Sequence, residues 1–336
     1  MKASFSSVCL FLVALLTAGQ VNAAPVQPVP APQVKFGVPD QKTARATAER
    51  VYSTWRIGLM RANENAWRSA TTRSRQVKVR NLIVSQKGNF PADYFHNQPD
   101  PPSLDKFRYV GAITGCNNHT LACTYMGNVQ LGNTKASETA FVLLFVFEEG
   151  KWKFDQSHMF NLSQLPDVKE RLAKGDISVL HEQDGFHPYT ELPTVPMVCG
   201  VPQLIGKVFV DSPGRRIEMK INGVSVHSFR DERRADVISG GLRRGRNTIS
   251  YTIATDDKLA HPSMAIGLFV MPETPGNHPV CVFDHILDAS DVAKGGEFTF
   301  NISNESIASM NPRFTGTPPQ PFHAVPLKAK PGSPAK

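Results

Sequence analysis

Apolar residues recur at steps of three and four from Asp40 to about Met60, at Ala48, Tyr52, Trp55 and Leu59. That spacing predicts a helix with one buried face, and Asp40 offers a side-chain oxygen to cap its start. A second helical stretch runs from about Glu64 to Ser85, with Trp67, Ala70, Val77 and Val84 on one side, and Gly88 and Pro91 end it. Pro91 to Phe95 reads as one further short turn of helix. After Pro102 the period falls to two. Phe107–Gly115, Leu121–Leu131, Glu138–Glu148 and Lys151–Met159 alternate as strands rich in Val, Phe, Tyr and Thr. Short turns, the last at Glu149-Gly150, join antiparallel neighbours, so these strands predict a meander with helices packed on one face. Pro166 to Lys174 is a further short helix, ended by Gly175.

The pattern changes again between His181 and Pro202, which holds four prolines and no period; this reads as a linker at 181–202. Strands then return at Lys207–Asp211, Arg216–Ile221, Val224–Phe229, Thr248–Ala254, Ala265–Val270, Val280–Leu287 and Glu297–Ile302, with Asn222-Gly223 as the strongest hairpin turn. Seven short strands without an intervening helix predict a β-sandwich. The expected fold class is α+β: a helix-plus-antiparallel-sheet domain over 40–180, then an all-β sandwich domain over 203–310. Residues 24–39 are a Pro-rich spacer. Residues 311–336, with seven prolines, four Lys or Arg and no acid, read as a disordered basic tail.

Composition adds the compartment. Lys2, the apolar run Val8–Leu16 and Val21-Asn22-Ala23 form the pattern of a secretory signal over 1–23. The run is too short to span a bilayer, and no later stretch is long and apolar enough, so no transmembrane segment is expected. The mature chain reads as secreted or periplasmic. Cys116, Cys123, Cys199 and Cys281 remain after Cys9 is removed with the signal. An even number in an exported chain favours disulfides. Of the three pairings, Cys116–Cys123 and Cys199–Cys281 fit the domain split best, and free buried thiols are the alternative. The net charge of +8 comes from the helices: between Lys42 and Lys87 there are eleven Lys or Arg and two acids, Glu49 and Glu64.

Helix, helix and a four-strand meander ending in Gly150-Lys151-Trp152-Lys153-Phe154-Asp155, behind a Trp-bearing first helix, resembles the nuclear transport factor 2-like (SnoaL-like) superfamily over about residues 40–160. The resemblance implies a cone-like domain whose curved sheet wraps the helices around an apolar cavity. Its members include isomerases, dehydratases and hydrolases, and others that only bind or assemble, so it implies a pocket more firmly than a reaction. The second half, through Lys220-Ile221-Asn222-Gly223 and Gly241–Ile249, is more weakly similar to galactose-binding-like and jelly-roll sandwiches.

Candidate ligand-binding residues follow from these readings. Isomerases of the resembled type need a carboxylate base near the end of the second helical region, yet Ala66 to Ala92 holds no Asp or Glu. Tyr52 could serve as a hydroxyl donor, although an aromatic at helical spacing is more often core. Tyr125 lies on the second strand. Asp155 and His158, three apart on the last strand, point to opposite faces unless a bulge intervenes. On regular alternation His158 shares the more apolar face with Trp152, Phe154 and Gln156. Arg73 and Arg80, with Gln76, fall on one helical face that would attract anions.

No catalytic residue is assigned. His181-Glu182 does not complete a His-Glu-x-x-His, no Gly-x-Ser-x-Gly is present, and no metal or cofactor signature appears. Nor does the basic-aromatic interleaving of a nucleic-acid module. The expected function is therefore an exported, non-catalytic binding or assembly protein recognising a small molecule, a glycan or a protein. Its partners would be an anionic glycan, an envelope polymer, a protein or a second copy of the chain. The rivals are a small-molecule lyase, isomerase or hydrolase using the cone, and a structural cell-envelope component.

Overall fold

The computed structural model describes residues 38–129, 136–182, 192–255, 263–287 and 295–324. The expected signal over 1–23, most of the expected spacer and the last dozen residues lie outside the described residues. The chain is α+β, and its described residues divide into two compact units, one within 38–79 and 91–196, the other within 80–90 and 197–324.

In the first unit, α1 (Gln41–Met60) starts where Asp40 accepts a hydrogen bond from the Thr43 N–H at 2.9 Å. Ala44, Ala48, Val51, Tyr52, Trp55 and Leu59 form its buried face. Gly58 lets the next helix approach: a Cβ there would stand 2.7 Å from the Trp67 backbone nitrogen. The second helical stretch is not continuous. It is α2 (Glu64–Ala70) and α3 (Arg73–Val84), separated where Thr71 turns extended and bridges to Phe154 while the Thr72 N–H bonds the Phe154 carbonyl at 3.0 Å. Apolar spacing alone could not show this, because a tertiary bond makes the break. Residues from Arg80 onward in α3 count with the second unit. α4 (Ala92–Asn97) follows.

Four antiparallel strands then pair in chain order: β1 (Phe107–Gly115), β2 (Thr120–Val129), β3 (Ser137–Glu148) and β4 (Lys151–Asn161). Glu149 and Gly150, both at positive φ, make the β3–β4 turn. The sheet is covered on both faces rather than one. Phe141 and Phe145 of β3 meet the rings of α1 and β4, whereas Ala140, Val142 and Leu144 pack against Leu162, Leu180 and α5 (Pro166–Ala173). This double burial explains the unbroken apolar run of β3. The register slips at Asp155: Leu144 pairs with Gln156 and Phe145 with Phe154, so Asp155 is the extra residue of a β-bulge.

The second unit is a sandwich. One sheet has the order β13-β11-β10-β5-β8 and the other β12-β9-β6-β7. The strands are β5 (Gly206–Asp211), β6 (Arg215–Ile221), β7 (Ser225–Arg230), β8 (Arg233–Val237), β9 (Gly245–Thr255), β10 (Met264–Val270), β11 (Val280–Leu287), β12 (Gly295–Ile302) and β13 (Phe322–His323). Val208, Ile217, Ile249, Leu268 and Phe283 join one apolar core between the sheets. The β6–β7 hairpin turns at Asn222 and Gly223, both at positive φ. Gly241, also at positive φ, admits no side chain, since a Cβ would meet the Leu204 carbonyl oxygen at 2.3 Å.

Two expectations are corrected here. Part of the tail is ordered against the sandwich: at 322–324 β13 pairs in parallel with β11, and Phe322 stacks on Phe283 at 5.8 Å between centroids. Cys116, Cys123, Cys199 and Cys281 are free thiols, not the expected disulfides. Cys116 sits in the β1–β2 turn, one residue beyond the Gly115–Thr120 pair, whereas Cys123 pairs with Ala112. At about 3.4 Å of rise per strand residue, that offset is too long for a disulfide. Cys199 lies 3.4 Å from the Ser85 hydroxyl, and Cys281 bonds the Phe283 carbonyl at 3.3 Å.

Candidate functional site

The side of the first sheet that faces α1 is filled by the chain's own rings. Tyr52, Trp55, Phe141, Phe145 and Phe154 are all buried, and Trp55 and Phe154 lie 4.4 Å apart between centroids. A crevice among Ile113, Thr114, Leu121 and Leu144 has no room for a water molecule. A shallow depression of about 280 Å³ lies elsewhere, lined by Arg108, Met126, Gly127, Asn128 and Glu138.

Within this packed layer two polar clusters stand out. The first lies beneath α3. Asp155, turned to this side by its bulge, accepts a hydrogen bond from the Thr72 hydroxyl. The Arg75 guanidinium donates to the Asp155 carbonyl at 2.8 Å and lies 5.2 Å from the Phe154 ring centroid. Lys78, one turn further along α3, has no hydrogen bond or ion pair among the described residues. Burial pushes its ammonium below the ordinary range, Asp155 opposes that fall, and Arg75 adds to it. Burial likewise raises the Tyr94 hydroxyl, which faces Arg75 and Trp67. The second cluster lies near the start of α1. The Tyr109 hydroxyl donates to Gln41 at 2.8 Å, and Gln41 in turn donates to the Ala112 carbonyl at 3.0 Å. The Tyr125 ring packs on Tyr109 at 5.4 Å, its hydroxyl buried without a hydrogen-bond partner among the described residues. Burial first, then Cys123 and Glu49, raises the Tyr125 pKa.

The residues singled out from sequence do not form one site. The Tyr52 hydroxyl is committed to the Pro102 carbonyl at 2.9 Å. Tyr125 belongs to the cluster near Gln41, and Asp155 to the cluster beneath α3. Arg73 is exposed at the start of α3, its backbone N–H donating to the Glu148 carboxylate at 3.1 Å. Arg80 counts with the second unit and donates to the Cys199 carbonyl at 2.7 Å. His158 pairs with Val142, on the α5 face, while Phe154 faces α1. The bulge at Asp155 is the physical reason: one inserted residue reverses every later side chain on the strand. His158 is partly buried, and that burial lowers its pKa to about 4 against the opposing pull of Asp155.

The basic excess of the helices is mostly engaged. Arg45 pairs with Glu49, Arg68 with Glu64 and Lys87 with Glu273, and Arg56 donates to the Pro101 carbonyl. Lys42, Arg50, Arg61 and Arg73 are exposed; Arg73 helps to lower the pKa of Glu149, and the side chains of the other three have no hydrogen bond or ion pair among the described residues. Three of these, Lys42, Arg50 and Arg61, belong to α1 or its C-cap. At 3.6 residues per turn they fall within an arc of about 100° and span about 28 Å.

The second unit holds a constellation that sequence reading missed. The Ser225 hydroxyl lies 2.7 Å from His227 Nε2, and His227 Nδ1 lies 3.3 Å from the Asp236 carboxylate. The order of groups is that of a serine nucleophile, base and orienting acid. Ser225 is only 1% exposed, however, and its oxygen accepts the Ser239 N–H at 2.8 Å. Arg234 holds Asp236 at 3.0 Å. The arrangement joins β7 of one sheet to β8 of the other. Its sequence signal was Ser225 and His227 two apart on a strand, hence on one face.

Among the described residues, no group of three or more His, Cys, Asp or Glu could hold a metal ion, and no helix is long and apolar enough to cross a membrane. No family model, curated protein or solved structure matches the chain.

Proposed function

We propose that this is a non-catalytic binding or assembly protein acting outside the cytoplasm, and that it takes an anionic partner on the outer face of α1. The observation that carries this reading is the contrast on that helix. Its inner face is packed against aromatic rings, while Lys42, Arg50 and Arg61 project outward without an ion pair among the described residues. Such a row attracts polyanions through summed Coulomb interactions that salt weakens. The export pattern at the start of the chain and the likeness to the nuclear transport factor 2-like superfamily are part of the same proposal. They rest on the apolar run before Ala23 and on the helix, helix, meander order.

An enzyme using the cone has less support, because Tyr52 and Asp155 are already engaged by Pro102 and Thr72. The test is binding to a soluble acidic polysaccharide such as heparin at low salt. Affinity should fall steeply as salt rises. No binding at low salt, or binding indifferent to salt, removes the proposal.

A further inference from the structure

The outer face of α1 is not simply basic. Between Arg50 and Arg61 it carries Ile57, 42% exposed, and Met60, 46% exposed. On a helical wheel Lys42, Ser53, Ile57, Met60, Arg50 and Arg61 all lie within the same arc of about 100°. Glu49, at the margin of this arc, is held by Arg45 at 2.8 Å, so the face keeps three unopposed positive charges. Single exposed apolar residues are ordinary on a surface, but here two stand a turn apart among unopposed cations. A soluble polyanion would leave them wet.

A phospholipid surface treats the two kinds of group differently and satisfies both. Its phosphates meet the arginines and lysine, and the acyl boundary just beneath receives the isoleucine and methionine. Resting on the polyanion reading above, we infer that the outer face of α1 docks flat on an anionic phospholipid bilayer. Arg50 and Arg61 would engage headgroup phosphates while Ile57 and Met60 enter the interface. The contact is peripheral: the opposite face of α1 stays packed in the core of its unit.

The experiment is sedimentation of the full chain with phosphatidylcholine vesicles, with and without phosphatidylglycerol, beside heparin binding of the same preparation. The expected result is binding to the phosphatidylglycerol vesicles and not to pure phosphatidylcholine. Arg50→Gln with Arg61→Gln should weaken both vesicle and heparin binding, by roughly thirtyfold for vesicles at about fivefold per charge. Ile57→Ser with Met60→Ser should weaken vesicle binding by about tenfold and leave heparin binding unchanged. These are exposed positions, so unchanged thermal unfolding of each variant confirms that the fold is retained. Heparin binding without vesicle binding overturns the lipid inference and leaves the polyanion reading standing. So does an equal loss of both ligands in the Ile57 and Met60 variant. Binding to neither ligand overturns both.

Discussion

The two units bury polar groups in different places. The first sets Asp155, Thr72, Arg75 and Lys78 between its layers, beneath α3 and against the rings of Trp55 and Phe154. The second scatters them singly through a mainly apolar sheet-to-sheet core: Arg215 on the same face of β6 as Ile217, His285 bonded to the Ala324 carbonyl at 2.7 Å, and the Ser225–His227–Asp236 tie between the sheets. An apolar core tolerates truncation in proportion to the volume lost. A core holding two cations beside one carboxyl depends on every member, because an uncompensated buried charge is costly.

The largest effect is therefore expected in the first unit. Asp155→Ala should cost about 3–5 kcal/mol in denaturant unfolding, because Arg75 and Lys78 lose their nearby carboxyl. A loss below about 1 kcal/mol would mean that water reaches the cations, and the contrast between the units would fail. Acid should sharpen the same contrast. The His158 pKa is depressed to about 4, so the folded state favours the neutral ring. The stabilisation is complete above the ordinary histidine pKa of about 6.5 and is lost as pH falls toward 4. The expected loss is on the order of 2 kcal/mol, and it should be missing from His158→Gln. If that variant shows the same acid slope, another group is responsible.

Ser225→Ala tests the second unit. It removes one hydroxyl that joins the Ser239 N–H to His227, and about 1–2 kcal/mol should be lost. A loss as large as that of Asp155→Ala would erase the distinction. The smallest effect is Asp40→Ala, which removes the α1 cap and should lower the unfolding midpoint by less than Ser225→Ala does.

Much of this architecture was legible from residue spacing. The buried face of α1, the four-strand meander and the turns at Glu149-Gly150 and Asn222-Gly223 follow from periods of 3.6 and 2 and from residues that accept positive φ. What escaped was set by distant contacts. Apolar spacing runs on through Thr71, although a bond from Thr72 to Phe154 ends the helix there. Alternation placed His158 beside Phe154, and the bulge at Asp155 separated them. The cluster beneath α3 draws on α3 and on β4, far apart in sequence, and no spacing rule joins them.

The short strand β13 has a practical consequence for handling the protein. Ala324 donates to the Asp284 carbonyl at 2.9 Å and accepts from His285 at 2.7 Å, while His323 meets the Asp284 carboxylate at 2.5 Å. These few residues shield the outer rim of β11, where main-chain amides would otherwise stand open to any passing strand. Trimming the chain before Phe322 should thus leave that rim open and favour sticking edge to edge.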